Sequence, residues 1–263
     1  MTKKPLILIT NDDGYAAEGI KALAQTIAAF ADVYIVAPDG ARSGAACAIT
    51  SSVPVSYREL QPQPYYPAGV RLFACSGTPV DCVKLAWDNI LPRRPDLLLS
   101  GINHGDNASI SAHYSGTMGA VFEGCMKGIP SIGLSLYLKR GQRYEEYPVS
   151  DDTLAAIARL CEQVIAKGLP EDTCLNVNLP VSDCFKGWRV CRQARGRWEA
   201  EWATASNPHG VNAYWLTGVF NDLEPQAHDT DFAALRAGFA SIVPTTIDMT
   251  AYDAIEHINK LTL

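Results

Sequence analysis

Residues 6–20 read LILITNDDGYAAEGI, which sets two adjacent carboxylates, Asp12 and Asp13, directly behind an unbroken apolar run. A turn or a helix cap needs only one acid, and the second adds repulsion. A divalent cation would remove that repulsion and give both carboxylates a task. Two further oxygen donors are at hand: Ser43 in the loop GARSGAAC and Asn103 in the stretch SGINHGDN. Two carboxylates, a hydroxyl and an amide oxygen make an all-oxygen set, which suits hard Mg²⁺ or Mn²⁺ rather than Zn²⁺ and leaves positions for water and a substrate oxygen. Each cluster taken alone also reads as ordinary turn chemistry.

A phosphate site is the natural companion of such a cation. The stretch YSGTMGA presents Ser115, Gly116 and Thr117 at the start of an expected helix, where free N–H groups hold anions. Capping by Ser115 or Thr117 is the competing reading. Asn11 and Arg42 join these three as candidate substrate contacts; Asp12, Asp13 and Asn103 are the candidate catalytic residues. His104 and His113 flank the region and read as solvated loop histidines. His209, His228 and His257 form no ligand spacing. No G-x-S-x-G elbow, Walker sequence or G-x-G-x-x-G occurs, so an elbow-type hydrolase and the common nucleotide-binding loops are not encoded.

The elements that must position these residues alternate. Residues 6–9, 33–38, 70–75, 96–101 and 131–138 read as buried strands, apolar without alternation. Helical spacing covers 19–30 (Ile20, Leu23, Ile27, Phe30), the segment opening at Thr78-Pro79 with Asp81 in capping-box position, residues 114–128, and 152–166. Strands alternating with helices predict an α/β fold, Rossmann-like and doubly wound, with a mostly parallel sheet. In such sheets ligands bind beyond the carboxyl ends of the strands. The acids, the Ser43 loop and SGINHGDN all fall there, and that shared edge is the main argument for a site. Beyond about residue 180 the alternation stops, and four of the five Trp (Trp188, Trp198, Trp202, Trp215) crowd into the next stretch. Projecting hairpins or an oligomer contact explain that composition. A short helix, a strand and a terminal helix are expected to follow. The division expected is a catalytic core, 1–180, and a C-terminal hairpin/helix extension, 181–263, used in oligomerisation.

With 48% hydrophobic residues the 263-residue chain has material for a large core, and its net charge of −6 argues against a nucleic-acid polymer as partner. Eight cysteines without a C-x-x-C pair exclude a zinc ribbon, and the four in apolar or small-residue segments, Cys47, Cys75, Cys82 and Cys125, read as reduced core residues. The apolar run near the N-terminus is about four residues, against roughly 7–15 in a signal peptide. No stretch approaches the ~20 apolar residues of a membrane span. The expected location is cytoplasmic.

In this order, ILITNDDGYAAEGI, VAPDGARSGAA, GTPVDCVKLA, LLLSGINHGDN, YSGTMGAVFEG and TDFAALRAGFASIVPTTIDMT resemble the SurE family of stationary-phase survival proteins, which are 5′/3′-nucleotidases. The resemblance implies a Rossmann-like core and a phosphomonoesterase acting on nucleoside monophosphates with one divalent cation per subunit, Mg²⁺ or Mn²⁺. It places the metal ligands at Asp12, Asp13, Ser43 and Asn103, and implies homodimers or homotetramers that exchange C-terminal segments. One departure stands out: family members continue from SGIN toward YSGT with a glycine and acidic residues, whereas residues 108–113 here read ASISAH. Adjacent acids count against a haloacid-dehalogenase-type phosphatase, which needs acids two apart. A nucleotide-binding regulatory protein without turnover remains the alternative.

Overall fold

The computed structural model describes residues 4–61, 63–138, 142, 144, 146–206, 210 and 212–261; His209 lies outside them. Strand β1 (Leu6–Thr10) enters the centre of a sheet and is followed by helix α1 (Glu18–Ile27) and strand β2 (Asp32–Pro38). Strands β3 (Tyr57–Leu60) and β4 (Arg71–Cys75) lead to helix α2 (Pro79–Leu85), which runs into a π-helical turn, and then to β5 (Leu97–His104). Helix α3 (Gly116–Met126), strand β6 (Ser131–Tyr137), helix α4 (Asp151–Lys167) and strand β7 (Thr173–Pro180) follow. Helices α1, α2 and α4 start within a residue of the expected positions, and α3 two residues later than expected. Thr78 accepts from the Asp81 N–H and Asp81 returns the bond to the Thr78 N–H, a complete capping box with Pro79 at the first helical position.

The C-terminal third holds strand β8 (Trp188–Val190) and a nested hairpin, in which β9 (Gly196–Glu199) pairs with β12 (Val219–Asp222) around β10 (Trp202–Ala205) and β11 (Ala213–Leu216). Helix α5 (Asp231–Arg236), strand β13 (Ala240–Thr246) and a five-residue terminal helix α6 (Ile255–Asn259) complete it.

Among the described residues the main sheet has nine strands, in the order β3-β4-β2-β1-β5-β6-β7-β13-β8. Pairing is parallel except at β3–β4 and β7–β13. The chain winds outward from β1 through β2 to β4, then returns to the other side of β1 and winds outward through β5, β6 and β7. The reversal falls between β1 and β5, where an open α/β sheet leaves a crevice at its carboxyl edge. Both faces are covered. Ile7 and Ile9 pack with Ile20, Leu23 and Ile27 of α1 and Ile157 of α4, while Leu8 packs with Val83 of α2 and Met118 and Val121 of α3. Burial on both sides explains why these strands are apolar without alternation.

Strand β7 breaks that rule with two buried asparagines. The Asn107 N–H donates to Asn178 Oδ1 (2.7 Å), Asn178 Nδ2 to Asn176 Oδ1 (3.1 Å) and Asn176 Nδ2 to the Asn107 carbonyl (2.8 Å). Asn107 Nδ2 donates in turn to Ser135 Oγ (2.8 Å) on β6. This polar ladder ties the loop after β5 to the ends of β6 and β7. Asn178→Ala is expected to destabilise the protein by about 1–3 kcal/mol, because it strands a buried N–H; urea denaturation of both proteins measures it.

Candidate active site

The switch point brings the chemistry-bearing residues to one edge. Asp12 is buried immediately beyond β1, with Thr117 Oγ1 donating to its Oδ1 at 2.7 Å. The first turn of α3 lies hard against this carboxylate: a Cβ at Gly116 would fall 2.9 Å from Asp12 Cβ, so only glycine fits. Ser115 caps α3 through the Met118 N–H (3.0 Å). The Ser43 loop rests on the same helix, with a Cβ at Gly119 excluded by the Ala46 carbonyl at 2.2 Å, and is pinned by the Arg42 N–H donating to the Asp12 carbonyl (2.7 Å). Asp13 Oδ2 accepts from the His104 N–H at 3.1 Å. Asn103 lies where the β5–β6 register shifts after Ser100, and its Nδ2 donates to the Gly105 carbonyl (2.8 Å). Irregularities of this kind re-aim side chains next to functional sites.

A cavity of about 470 Å³ opens at this edge. Asp12, Ser43, Asn103 and Ser115 line one part of it. Asp13 sits beside it, on the His104 N–H. Asn11 is fully buried and closes the turn, with Nδ2 donating to the Gly14 carbonyl and the Gly14 N–H donating to Oδ1. The Arg42 guanidinium is paired with Asp39 (3.0 Å) and the Ser76 carbonyl (3.1 Å). Gly116 and Thr117 stand behind Asp12 rather than on the cavity wall. His104 lines the cavity; His113 is exposed.

Other wall residues lie outside the motifs. Asp106, Asn107 and Ser111 come from the loop after β5, and Trp198, Glu201 and Thr217 from the nested hairpin. Residues 108–113, where the sequence departs from the family pattern, hold a 3₁₀ turn, and Ser109 takes φ 53°, the left-handed region that favours glycine. Its N–H donates to Asp231 Oδ2 (2.7 Å) and its hydroxyl to the Ala194 carbonyl (2.8 Å), which hold the strained residue in place. The segment has no acid of its own, but the loop brings one carboxylate to the cavity at Asp106, raised to about 6 by burial.

Burial also raises Asp12 to about 6, against the pull of the Thr117 hydroxyl and with a further push from Asp13. Asp13 is raised by burial, opposed by the His104 N–H. Two desolvated acids side by side, with hydroxyl and amide oxygens nearby, form a donor set that a hard divalent cation fits. No group of three His, Cys, Asp or Glu side chains is gathered as a metal site among the described residues, so such a cation would draw on Ser43 and Asn103 as well.

Fold and site together define an α/β protein with an acid-lined ligand crevice at the switch point of a doubly wound sheet. The model of the family "Survival protein SurE" matches residues 7–200. The chain is 46% identical to the 5′-nucleotidase SurE of Phocaeicola vulgatus, over 99% of this chain and 98% of that protein. It is 45% identical to the protein of the same name from Bacteroides fragilis, over 98% of each. The crystal structure of the SurE protein from Aquifex aeolicus superposes with a TM-score of 0.80 at 32% identity, covering 98% of this chain and all of that one. The chain belongs to the SurE family.

The buried acid has a measurable cost. The folded Asp12 carboxyl keeps its proton up to about pH 6, whereas the unfolded chain releases it near 3.8, so this group's contribution to stability falls as pH rises through that window. Asp12→Asn is therefore expected to raise the stability of the protein in EDTA by about 2–3 kcal/mol at pH 7 and hardly at pH 4. Thermal melts at the two pH values measure the difference.

Proposed function

We propose that this protein is a divalent-metal-dependent phosphomonoesterase that hydrolyses nucleoside 5′-monophosphates, and 3′-monophosphates at the same centre, to nucleoside and phosphate. One observation carries the reading: Asp12 and Asp13, desolvated and adjacent, stand with Ser43, Asn103 and the first turn of α3 around one end of a cavity large enough for a nucleotide. The relatives named 5′-nucleotidase SurE supply the substrate class.

Asp12, Asp13, Ser43 and Asn103 would hold one Mg²⁺ or Mn²⁺, which when bound supplies Lewis acidity and a template for in-line attack. The residues do the rest. Asp12 or Asp13 orients the attacking water and takes up its proton. The Asn103 amide and the Ser115 hydroxyl stabilise charge on the transferring phosphoryl group. Thr117 holds the Asp12 carboxylate in place through its hydroxyl, and Gly116 lets the helix start approach that carboxylate.

The catalytic core is assigned to residues 1–180. Residues 181–263 form an extension that also lends β8 and β13 to the sheet. Its exposed Trp202, Trp215, Val219, Met249, Tyr252 and Ile255 suit self-association as a homodimer or homotetramer. Among the described residues no helix is long and apolar enough to cross a membrane. Eight unbridged thiols fit work in the cytoplasm.

Phosphate release from a panel of nucleoside monophosphates, run in EDTA, Mg²⁺ and Mn²⁺, tests the reading. Release is expected only with metal, and Asp13→Asn should cut it by roughly 10²-fold or more, since a lost ligand carboxylate costs several kcal/mol of transition-state stabilisation. Nucleotide binding without release from any substrate would make the protein a binding module instead. Sedimentation of the full chain should give a dimer or tetramer; a monomer at micromolar concentration would refute the assembly.

A further inference from the structure

A site for phosphate and a cation alone needs little room, yet the cavity holds about 470 Å³ and reaches from Asp12 to the nested hairpin. That far wall differs in chemistry from the near one. Trp198 is half-buried at the end of β9, its ring held edge-on by Phe220 (centroids 5.6 Å apart, 75° between planes). Phe220 in turn packs on Phe232 (4.9 Å), and Phe232 on Tyr137 of β6 (6.0 Å). A chain of rings thus fixes the indole to the main sheet while it faces the cavity. Such an indole is a preorganised stacking platform.

Beside it stands Glu201, in the turn between β9 and β10. Among the described residues its carboxylate has no hydrogen-bond or ion-pair partner; its carbonyl accepts from the Thr217 N–H (2.6 Å). A carboxylate accepts hydrogen bonds and donates none. It would repel the phosphate of a substrate, and the near wall already holds Asp12. The part of a nucleotide that it can meet is a neutral donor, and the vicinal hydroxyls of a ribose offer two.

We infer that the hairpin forms the nucleoside end of the active site, with Trp198 stacking on the base and Glu201 accepting from the ribose 2′- and 3′-hydroxyls of a 5′-monophosphate. The inference rests on the nucleotidase reading and extends it: the preferred substrates are ribonucleotides, and Trp198 and Glu201 are specificity-determining residues. Stacking on a π face is tolerant of base identity, so one indole serves purines and pyrimidines. The diol contact is not tolerant in the same way, because a site built to bond a hydroxyl discriminates against the analogue that lacks it.

The test compares AMP, dAMP and methyl phosphate, an ester with no nucleoside, on the Mg²⁺-loaded full-length protein, together with equilibrium binding of adenosine. In Trp198→Ala the ratio of kcat/KM for AMP to that for methyl phosphate should fall by about 10-fold or more, as expected for loss of one base stack. Adenosine binding should weaken in parallel, and Trp198→Phe should restore most of both. Glu201→Ala, which removes the acceptor, should bring the AMP-to-dAMP ratio close to one. Unchanged ratios and unchanged adenosine binding in both variants would overturn the inference. A change confined to Trp198→Ala would overturn the role of Glu201, and one confined to Glu201→Ala that of Trp198. If the wild type released phosphate from none of these esters but bound adenosine through Trp198, the hydrolase reading would fail and the nucleoside site would stand.

Discussion

The contact between the first turn of α3 and the end of β1 governs how this protein is built. The Thr117 hydroxyl and the N–H groups around it are aimed at the buried Asp12 carboxylate, and the missing side chain at Gly116 lets the two segments touch. An acid placed there without donors would pay the full penalty of desolvation. The donors reduce that penalty without cancelling it, since the carboxyl remains well above its ordinary range. The position of α3 then fixes others. The Ser43 loop lies on its second turn, and Ser115 occupies the cap that faces the cavity. The site is thus an extension of core packing on β1, β5 and α3, and the rigidity of those elements is what holds its oxygens near one another.

A second set of bonds ties the far half of the cavity to the same sheet. Asn107, Asn176 and Asn178 fasten the loop after β5 to β7, and Asp231 at the start of α5 accepts from both the Ser109 and Ala194 N–H groups. Through that carboxylate, the loop carrying Asp106 and the strand leading to Trp198 share one anchor. Burial raises Asp231, yet three backbone donors still converge on it (Ser109, Ala194 and Phe232), a satisfied polar centre of the kind that fixes one arrangement of loops over alternatives.

How much of this could be read from the sequence depends on how local the physics is. Strands β1, β2 and β5 are apolar on both faces and stand out as runs; the box at Thr78 and Asp81 is a four-residue pattern and was legible to the residue. Strand β7 was not, because Asn176 and Asn178 interrupt its apolar character, and their burial makes sense only once Asn107 is beside them. Edge strand β3, YREL, is mostly exposed and has no periodic signal. The terminal helix is shorter than its pattern, with none of its residues buried to sustain it. Within the site, Asp12, Ser43 and Asn103 were read from oxygen chemistry at strand ends and Ser115 from a helix start, and all four line the cavity. Trp198, Glu201 and Thr217 reach the cavity from a hairpin folded back over about twenty residues, and no local spacing announces that. The Arg42 side chain shows the opposite: its loop is at the site, but Asp39 and the Ser76 carbonyl draw its charge elsewhere.

The order of strands also bears on how the chain can assemble as it is made. Strands β3 to β7 join through neighbours that are all complete by residue 180, but the next strand, β13, spans Ala240–Thr246, and among the described residues β8 pairs with β13 alone. Until some sixty further residues have been synthesised, β7 presents an open row of backbone donors and acceptors. Unpaired edges of this kind recruit other chains. During synthesis the nascent protein therefore carries an adhesive flank, and the speed with which its last third emerges sets how long that flank is exposed to neighbouring polypeptides on the same message.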